Sequence, residues 1–353
     1  MAEKVLMKGN EAIGEAAIRA GCRFYFGYPI TPQSELTAYM AKRLLRMEGA
    51  AFVQAESEVA AINMVYGAGS TGVRVMTSSS SPGISLKQEG LSYISLAEIP
   101  CVVVNMQRGG PGLGSIQPAQ GDYFQATKGG GHGDYHLIVL APYSVQELVD
   151  LTIDAFDLAD RYRNPAMILG DGLLGQMMEA VEFKEHPEVV LPDKSDWILT
   201  GCKGRDPRHI VPFDLDPLVL ESWNRKMGEK YNQIREREVR VESINTEDAE
   251  LILVAYGTVA RIIKTVIYNA RNEGIKIGLI RPITLFPFPE KVIAEAAERV
   301  KKFLVVEMSL GQMIEDVKLA VSGKAEVKFY GRTGGVIPSP VEILEEVKKN
   351  LKR

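Results

Sequence analysis

Two hydrophobic rhythms alternate along this chain. Short apolar runs, RFYFGYP, AAFVQA, VRVMTSS, IPCVVVNM, HLIVLAP and PAMILGD, have the length and residue types of buried strands. Between them lie longer segments with apolar positions three and four apart. NEAIGEAAIRAG ends in Gly21, a good helix stop. A second helix is expected to be capped by Thr31 with Pro32 and to run to about Met47. SEVAAINMVYGAG, SLKQEGLSYISLAE and VQELVDLTIDAFDLADRY read as three more. Strands alternating with helices predict a parallel, doubly wound α/β sheet over residues 8 to 175.

The rhythm breaks after that. PEVVLPDKSDWILTGCKGRDPRHIVPFDLDP is rich in proline, aspartate and glycine, and ESWNRKMGEKYNQIREREVRVESI reads as a charged helix. This stretch is expected to be a linker that wraps over a partner. From Ala249 the alternation resumes with ELILVAYG, KIGLIRP, FLVVEM and EVKFYG, each followed by a helical pattern. The expected division is therefore a domain over 1–186, a linker over 187–246 and a second α/β domain over 247–353.

Composition narrows the function. The chain has 353 residues and a net charge of −4 with no long basic run, which argues against a nucleic-acid or membrane partner. Cys22, Cys101 and Cys202 are far apart and form no CxxC, too few for an iron–sulfur cluster or a structural zinc site. Cys22 and Cys101 sit in apolar segments and read as small buried hydrophobes. The first residues lack the apolar core of a signal peptide, and no run reaches the length of a membrane span. A soluble cytoplasmic protein is expected.

The chemistry is carried by a few stretches. In FVQAESEVAAINMVYGAG, Glu56 and Glu58 precede an apolar helix, and no Lys or Arg follows until Arg74. An acid buried without a cation keeps its proton more readily and can share it with a ligand. In FGYPITPQSE, Thr31 follows a strand, where open α/β sheets bind ligands, and a hydroxyl beside a helix N-terminus suits an anion. Arg108 follows another strand in CVVVNMQRGGPG, and arginine is the preferred bidentate partner of a carboxylate. Gly170-Asp171-Gly172 opens a cation-binding motif, but the asparagine pair which that motif needs is missing from KSDWILTGCK, so a strand-end turn is expected instead. The glycines of RGGPGLG and KGGGHGD fit no phosphate-loop pattern and suggest close backbone approaches. The histidines at 132, 136, 186 and 209 form no metal-binding spacing, and His132 is expected in a loop or interface.

Taken together, YPITP, AESEVAA, TSSSSPGISLKQEG, EIPCVVVNMQRGGPGLG, QGDYFQATKGGGHGDY, RPITLFPFP and VVEMSLGQ resemble the α subunit of 2-oxoacid:ferredoxin oxidoreductases over nearly the whole chain. The resemblance implies the pyrimidine-type fold of thiamine diphosphate enzymes, followed by a transketolase C-terminal-like α/β domain. It implies that Glu58 pairs with N1′ of the cofactor's aminopyrimidine, with Glu56 as the alternative. It further implies that Pro29, Ile30, Ser81 and Pro82 contact the cofactor, and that Thr31 and Arg108 hold the carboxylate of a 2-oxoacid. No metal ligand is expected on this chain. Mg2+ and the diphosphate motif are expected on a β subunit, iron–sulfur clusters on partner chains including γ and ferredoxin-like δ subunits, ferredoxin as electron acceptor and coenzyme A as co-substrate.

The sequence GGPGLGSIQPAQ after Arg108 bears on the substrate. Relatives acting on 2-oxoglutarate often read GGPSTGLPT there. Leu113 and Ile116 suit a branched aliphatic side chain, which favours 2-oxoisovalerate, with 2-oxoglutarate next and pyruvate third. A non-catalytic assembly subunit is the reading from another class. A nucleotide-dependent dehydrogenase is disfavoured, because no dinucleotide fingerprint follows an early strand.

Overall fold

A computed structural model describes residues 4–184 and 190–351. The chain opens with β1 (Lys4–Lys8), α1 (Gly9–Arg19), β2 (Phe24–Gly27), α2 (Ser34–Leu44), β3 (Ala51–Gln54) and α3 (Glu58–Gly69). Next come β4 (Val75–Ser79), α4 (Ser81–Leu96), β5 (Val102–Gln107), the short α5 (Tyr123–Thr127), β6 (Ile138–Leu140) and α6 (Val145–Tyr162). β7 (Ala166–Asp171), α7 (Gly172–Gln176), β8 (Met178–Glu182), α8 (Pro217–Arg237) and β9 (Val241–Ile244) follow. The remainder is β10 (Leu251–Val254), α9 (Gly257–Asn272), β11 (Ile277–Pro282), β12 (Thr284–Phe286) and α10 (Glu290–Arg299). It closes with β13 (Lys302–Glu307), α11 (Met313–Val321), β14 (Glu326–Gly331) and α12 (Pro340–Leu351).

Seven strands form the first sheet in the order β12-β6-β7-β5-β4-β2-β3, parallel except for β12, which runs antiparallel to β6. Its central strands β4, β5 and β7 are buried at every position, so they read as continuous apolar runs, as strands covered on both faces must. A second sheet has the order β14-β13-β10-β11-β9, with β9 antiparallel to β11. β1 and β8 pair in a small antiparallel ribbon that the sequence pattern does not announce.

The expected linker overlaps the second sheet, because β9 lies within it, and residues 187–189 fall outside the described residues. α8 lies on its own chain: Met227, Tyr231 and Ile234 are buried, and the Tyr231 ring meets His136 and Phe286 edge-on. Arg281 joins the two sheets' neighbourhoods. Its buried guanidinium donates to both oxygens of Glu147 on α6 at 2.8 Å and to Glu242 on β9 at 2.7 Å. Two-pronged charge-assisted bonds of this kind fix geometry as well as attraction. Cys22 and Cys101 are buried, and burial pushes both thiols up to about 12, as inert core residues. Among the described residues no helix is long and apolar enough to cross a membrane.

Candidate active site

Because β2, β3, β4 and β5 are parallel, the turns after them emerge at one edge of the first sheet. That edge is the carboxyl end, where such sheets bind ligands. The turn after β2 carries Tyr28 to Pro32, the turn after β3 carries Glu56 to Glu58, the turn after β4 carries Ser80 to Pro82, and Arg108 directly follows β5.

Glu58 is the first residue of α3, whose N-cap Ser57 accepts a hydrogen bond from the Ala60 amide at 3.2 Å. The two acids separate cleanly: Glu58 is 5% exposed, whereas Glu56 is exposed. The Glu58 carboxylate rests on Gly83 in the first turn of α4. A methyl group added to Gly83 would stand 2.4 Å from Glu58 Oε1 and 2.0 Å from Ser79 Oγ, closer than such contacts allow. Gly83→Ala is therefore expected to lower turnover at least about tenfold by displacing that carboxylate. The better helix propensity of alanine, up to about 1 kcal/mol, offsets the local strain. Paired activity and thermal-melting measurements on the purified protein test this, and unchanged turnover would rule out the displacement.

Arg108 is buried, and its guanidinium donates to the Thr31 carbonyl at 2.8 Å and the Leu113 carbonyl at 3.0 Å. The structure thus brings Thr31 and Arg108 together across 77 residues of sequence. Thr31 is not the cap of α2, however. The helix starts at Ser34 with Gln33 in the N-cap position, and Thr31 is exposed. A residue before proline is kept out of the helical conformation, which moves the start beyond Pro32. Gln33 is buried, and its side-chain oxygen accepts from Thr37 at 3.1 Å and Ser78 at 2.6 Å. Tyr25 completes this polar floor beneath the turn. Pro29 is exposed, and the half-buried Ile30 gives its carbonyl to the Gln33 amide at 3.1 Å.

Ser81 and Pro82 open α4. The Ser81 hydroxyl accepts from the Arg108 amide at 3.0 Å and donates to Asp122 at 2.6 Å. Asn105 donates to the same Asp122 oxygen at 2.9 Å, and burial raises the Asp122 carboxyl above its ordinary range. Sequence reasoning does not single out Asp122. Its place two residues after Gln120 in QGDY is the available signal.

A second residue missed from sequence is Lys87 on α4. It is fully buried, and Nζ donates to Thr77 Oγ1 at 3.0 Å. Burial lowers its ammonium to about 8, while the charge of Glu58 acts the other way. The expectation that Glu58 has no nearby cation is thus corrected, because the cation comes from the neighbouring helix rather than from α3.

Asp171 behaves as a turn residue. Its carboxylate caps α7 by accepting from the Leu173 and Leu174 amides at 3.0 and 3.2 Å. Among the described residues no cluster of His, Cys, Asp and Glu could hold a metal ion. The glycine loops do make close approaches: a methyl on Gly109 would come within 2.9 Å of the Gly334 backbone, and one on Gly131 within 2.7 Å of the Gln88 carbonyl. His132 is exposed and edge-on to Tyr93 at 6.3 Å, and His186 lies outside the described residues.

The residues at the strand ends fit an aromatic, partly polar group with an anionic companion. Among the described residues Ser79 Oγ, Ser80 Oγ and Arg108 Nε are buried without a hydrogen-bond partner. The surroundings are apolar yet open, with Leu113 82% and Ile116 60% exposed. An acid at a helix mouth, orphaned hydroxyls and a half-used guanidinium are groups able to meet a polar ligand and an anion.

Comparison with known proteins gives the class. Residues 15–241 match the family model for pyruvate flavodoxin/ferredoxin oxidoreductase, thiamine-diphosphate-binding, and residues 249–343 match the model for pyruvate:ferredoxin oxidoreductase core domain II. This chain belongs to the 2-oxoacid:ferredoxin oxidoreductase family, as the resemblance implied. It is 52% identical to the ketoisovalerate oxidoreductase subunit VorB of Methanothermobacter marburgensis, over 98% of this chain and 97% of that protein. It is 39% identical to the 2-oxoglutarate synthase subunit KorA of Methanothermobacter thermautotrophicus, over 99% of each. Among solved structures, the 2-oxoglutarate:ferredoxin oxidoreductase from Magnetococcus marinus, with 2-oxoglutarate, coenzyme A and succinyl-CoA bound, superposes with a TM-score of 0.88 at 26% identity. That match covers 99% of this chain and 66% of the other. A split-gene transketolase, at TM-score 0.60 and 14% identity, shares the fold alone. The expected thiamine-diphosphate fold and enzyme class are borne out, and the relatives' names mark the chain as one subunit of a larger enzyme.

Proposed function

We propose that this chain is the pyrimidine-binding subunit of a cytoplasmic 2-oxoacid:ferredoxin oxidoreductase acting on 2-oxoisovalerate. In that reaction the 2-oxoacid and coenzyme A give an acyl-CoA and CO2, and two electrons pass one at a time to ferredoxin. The observation that carries the reading is the convergence of buried Glu58 and Arg108 with the exposed Thr31 at the carboxyl edge of one parallel sheet.

Each residue has a task that its surroundings support. The Glu58 carboxyl, buried beside Gly83 in the first turn of α4, is set against the pyrimidine N1′ and shares a proton with it. Pro29, Ile30, Ser81 and Pro82 supply turn and helix-start surface to the ring. The free N–H groups of Arg108 hold the substrate carboxylate, with the Thr31 hydroxyl beside them. Thiamine diphosphate, when bound, supplies the electron sink for decarboxylation. The diphosphate and its Mg2+ fall to a β subunit, and the iron–sulfur clusters fall to γ and δ partners. The openness of the strand-end edge supports a site whose other wall is another chain.

The substrate assignment rests on Leu113, whose carbonyl is bonded to Arg108 and whose apolar side chain is exposed, and on the relatives' names. The test is the complex purified anaerobically and assayed with 2-oxoisovalerate, 2-oxoglutarate and pyruvate, each with coenzyme A and a low-potential acceptor. The highest kcat/KM is expected for 2-oxoisovalerate. A preference for 2-oxoglutarate would overturn the substrate, and a complex without bound thiamine diphosphate or turnover would overturn the enzyme role.

A further inference from the structure

Fully buried lysines are rare, because an ammonium group out of water is costly unless something compensates it. Lys87 is such a lysine, and its Nζ bond to Thr77 Oγ1 uses one of three donors. A methionine would fill the same space without a charge. The reason for a cation lies one helical turn away. Gly83 and Lys87 are four apart on α4, and long helical side chains lean back toward the N-terminus. Lys87 therefore reaches toward the turn on which the Glu58 carboxylate rests.

The charges around Lys87 single out one partner. From α3 the charge of Glu58 acts on it. From β4 it meets the Thr77 hydroxyl. The charged residues of α8 that approach α4, Lys226 and Lys230, are paired with Glu98 beyond the far end of the helix. Beside it on α4, Gln88 is engaged by Tyr135.

We propose that Lys87 is a positioning residue for Glu58, an internal counter-cation that keeps the carboxylate seated over Gly83. This rests on the reading of Glu58 as the group that meets N1′. Burial already brings the ammonium down to about 8, so near neutral pH it carries its charge with little margin.

The test uses the assembled complex with Lys87→Met and Lys87→Gln, the second covering a failure of the first to assemble. In both variants kcat is expected to fall about tenfold with KM for the 2-oxoacid unchanged, because a carboxylate without its cation is no longer held in place while the substrate's own contacts remain. Deuterium exchange at C2 of the bound cofactor, followed without 2-oxoacid, is expected to slow in both variants. In a Glu58→Gln background the same lysine changes are expected to add nothing to the exchange rate. Unchanged kcat and normal exchange, with exchange lost in Glu58→Gln, would overturn the role of Lys87 alone. Normal exchange in Glu58→Gln would instead overturn the reading of Glu58.

Discussion

Glu58→Gln is expected to lower turnover of the assembled complex by about 10²–10⁴-fold, the range for losing a positioned acid–base group. The amide has the same shape, so its packing against Gly83 and Ser79 stays, and assembly and thermal stability are expected to hold. What is lost is an oxygen that can carry charge and exchange a proton. KM for the 2-oxoacid is expected to change little, since Arg108 and Thr31 are separate groups. Steady-state kinetics on the purified complex measures this. Turnover within about twofold of the parent would remove Glu58 from the chemistry. Glu56, exposed to solvent, serves as the comparison, and Glu56→Gln is expected to be near neutral.

Arg108→Lys is the second large effect, expected to reduce kcat/KM by roughly 30- to 5000-fold, or about 2–5 kcal/mol, as for loss of a buried charge partner. The guanidinium spans two backbone carbonyls, of Thr31 and Leu113, and still has N–H groups to offer. A lysine has one nitrogen and cannot hold both carbonyls and a carboxylate. Most of the loss is expected in KM, and it should be similar for 2-oxoisovalerate, 2-oxoglutarate and pyruvate, which share the carboxylate. An unchanged KM for all three would show that the anion is held elsewhere.

Much of this site is legible in the sequence because parallel sheets impose an address. Once β2 to β5 are recognised as parallel strands, the residues after them must meet at one edge. Thr31 and Arg108 follow from that address, whereas Ser81 and the choice of Glu58 over Glu56 come from the family resemblance. Nothing comparable reaches across helices. Spacing along α3 shows which residues share its face but says nothing of α4, so Lys87 is invisible from sequence as the cation of Glu58. Thr31 looks like a cap by propensity alone, and the restriction that the next proline imposes removes it from that role. β1 and β8 escape notice because they form a half-exposed ribbon with little apolar alternation.

The two sheets are also bound in a way no local pattern displays. β9 precedes the second α/β stretch and β12 lies inside it, yet β12 pairs with the first sheet and β9 with the second. The second domain therefore lends the edge strand β12 to the first sheet, while the linker supplies the edge strand β9 of the second. During synthesis the first sheet cannot close its β6 edge until residue 286 has left the ribosome, well after its other six strands are made. An unpaired strand edge invites pairing with another chain. The interval before β12 arrives is thus when a nascent chain is most open to joining the wrong neighbour, and a polypeptide cut short near residue 245 would keep that edge open permanently.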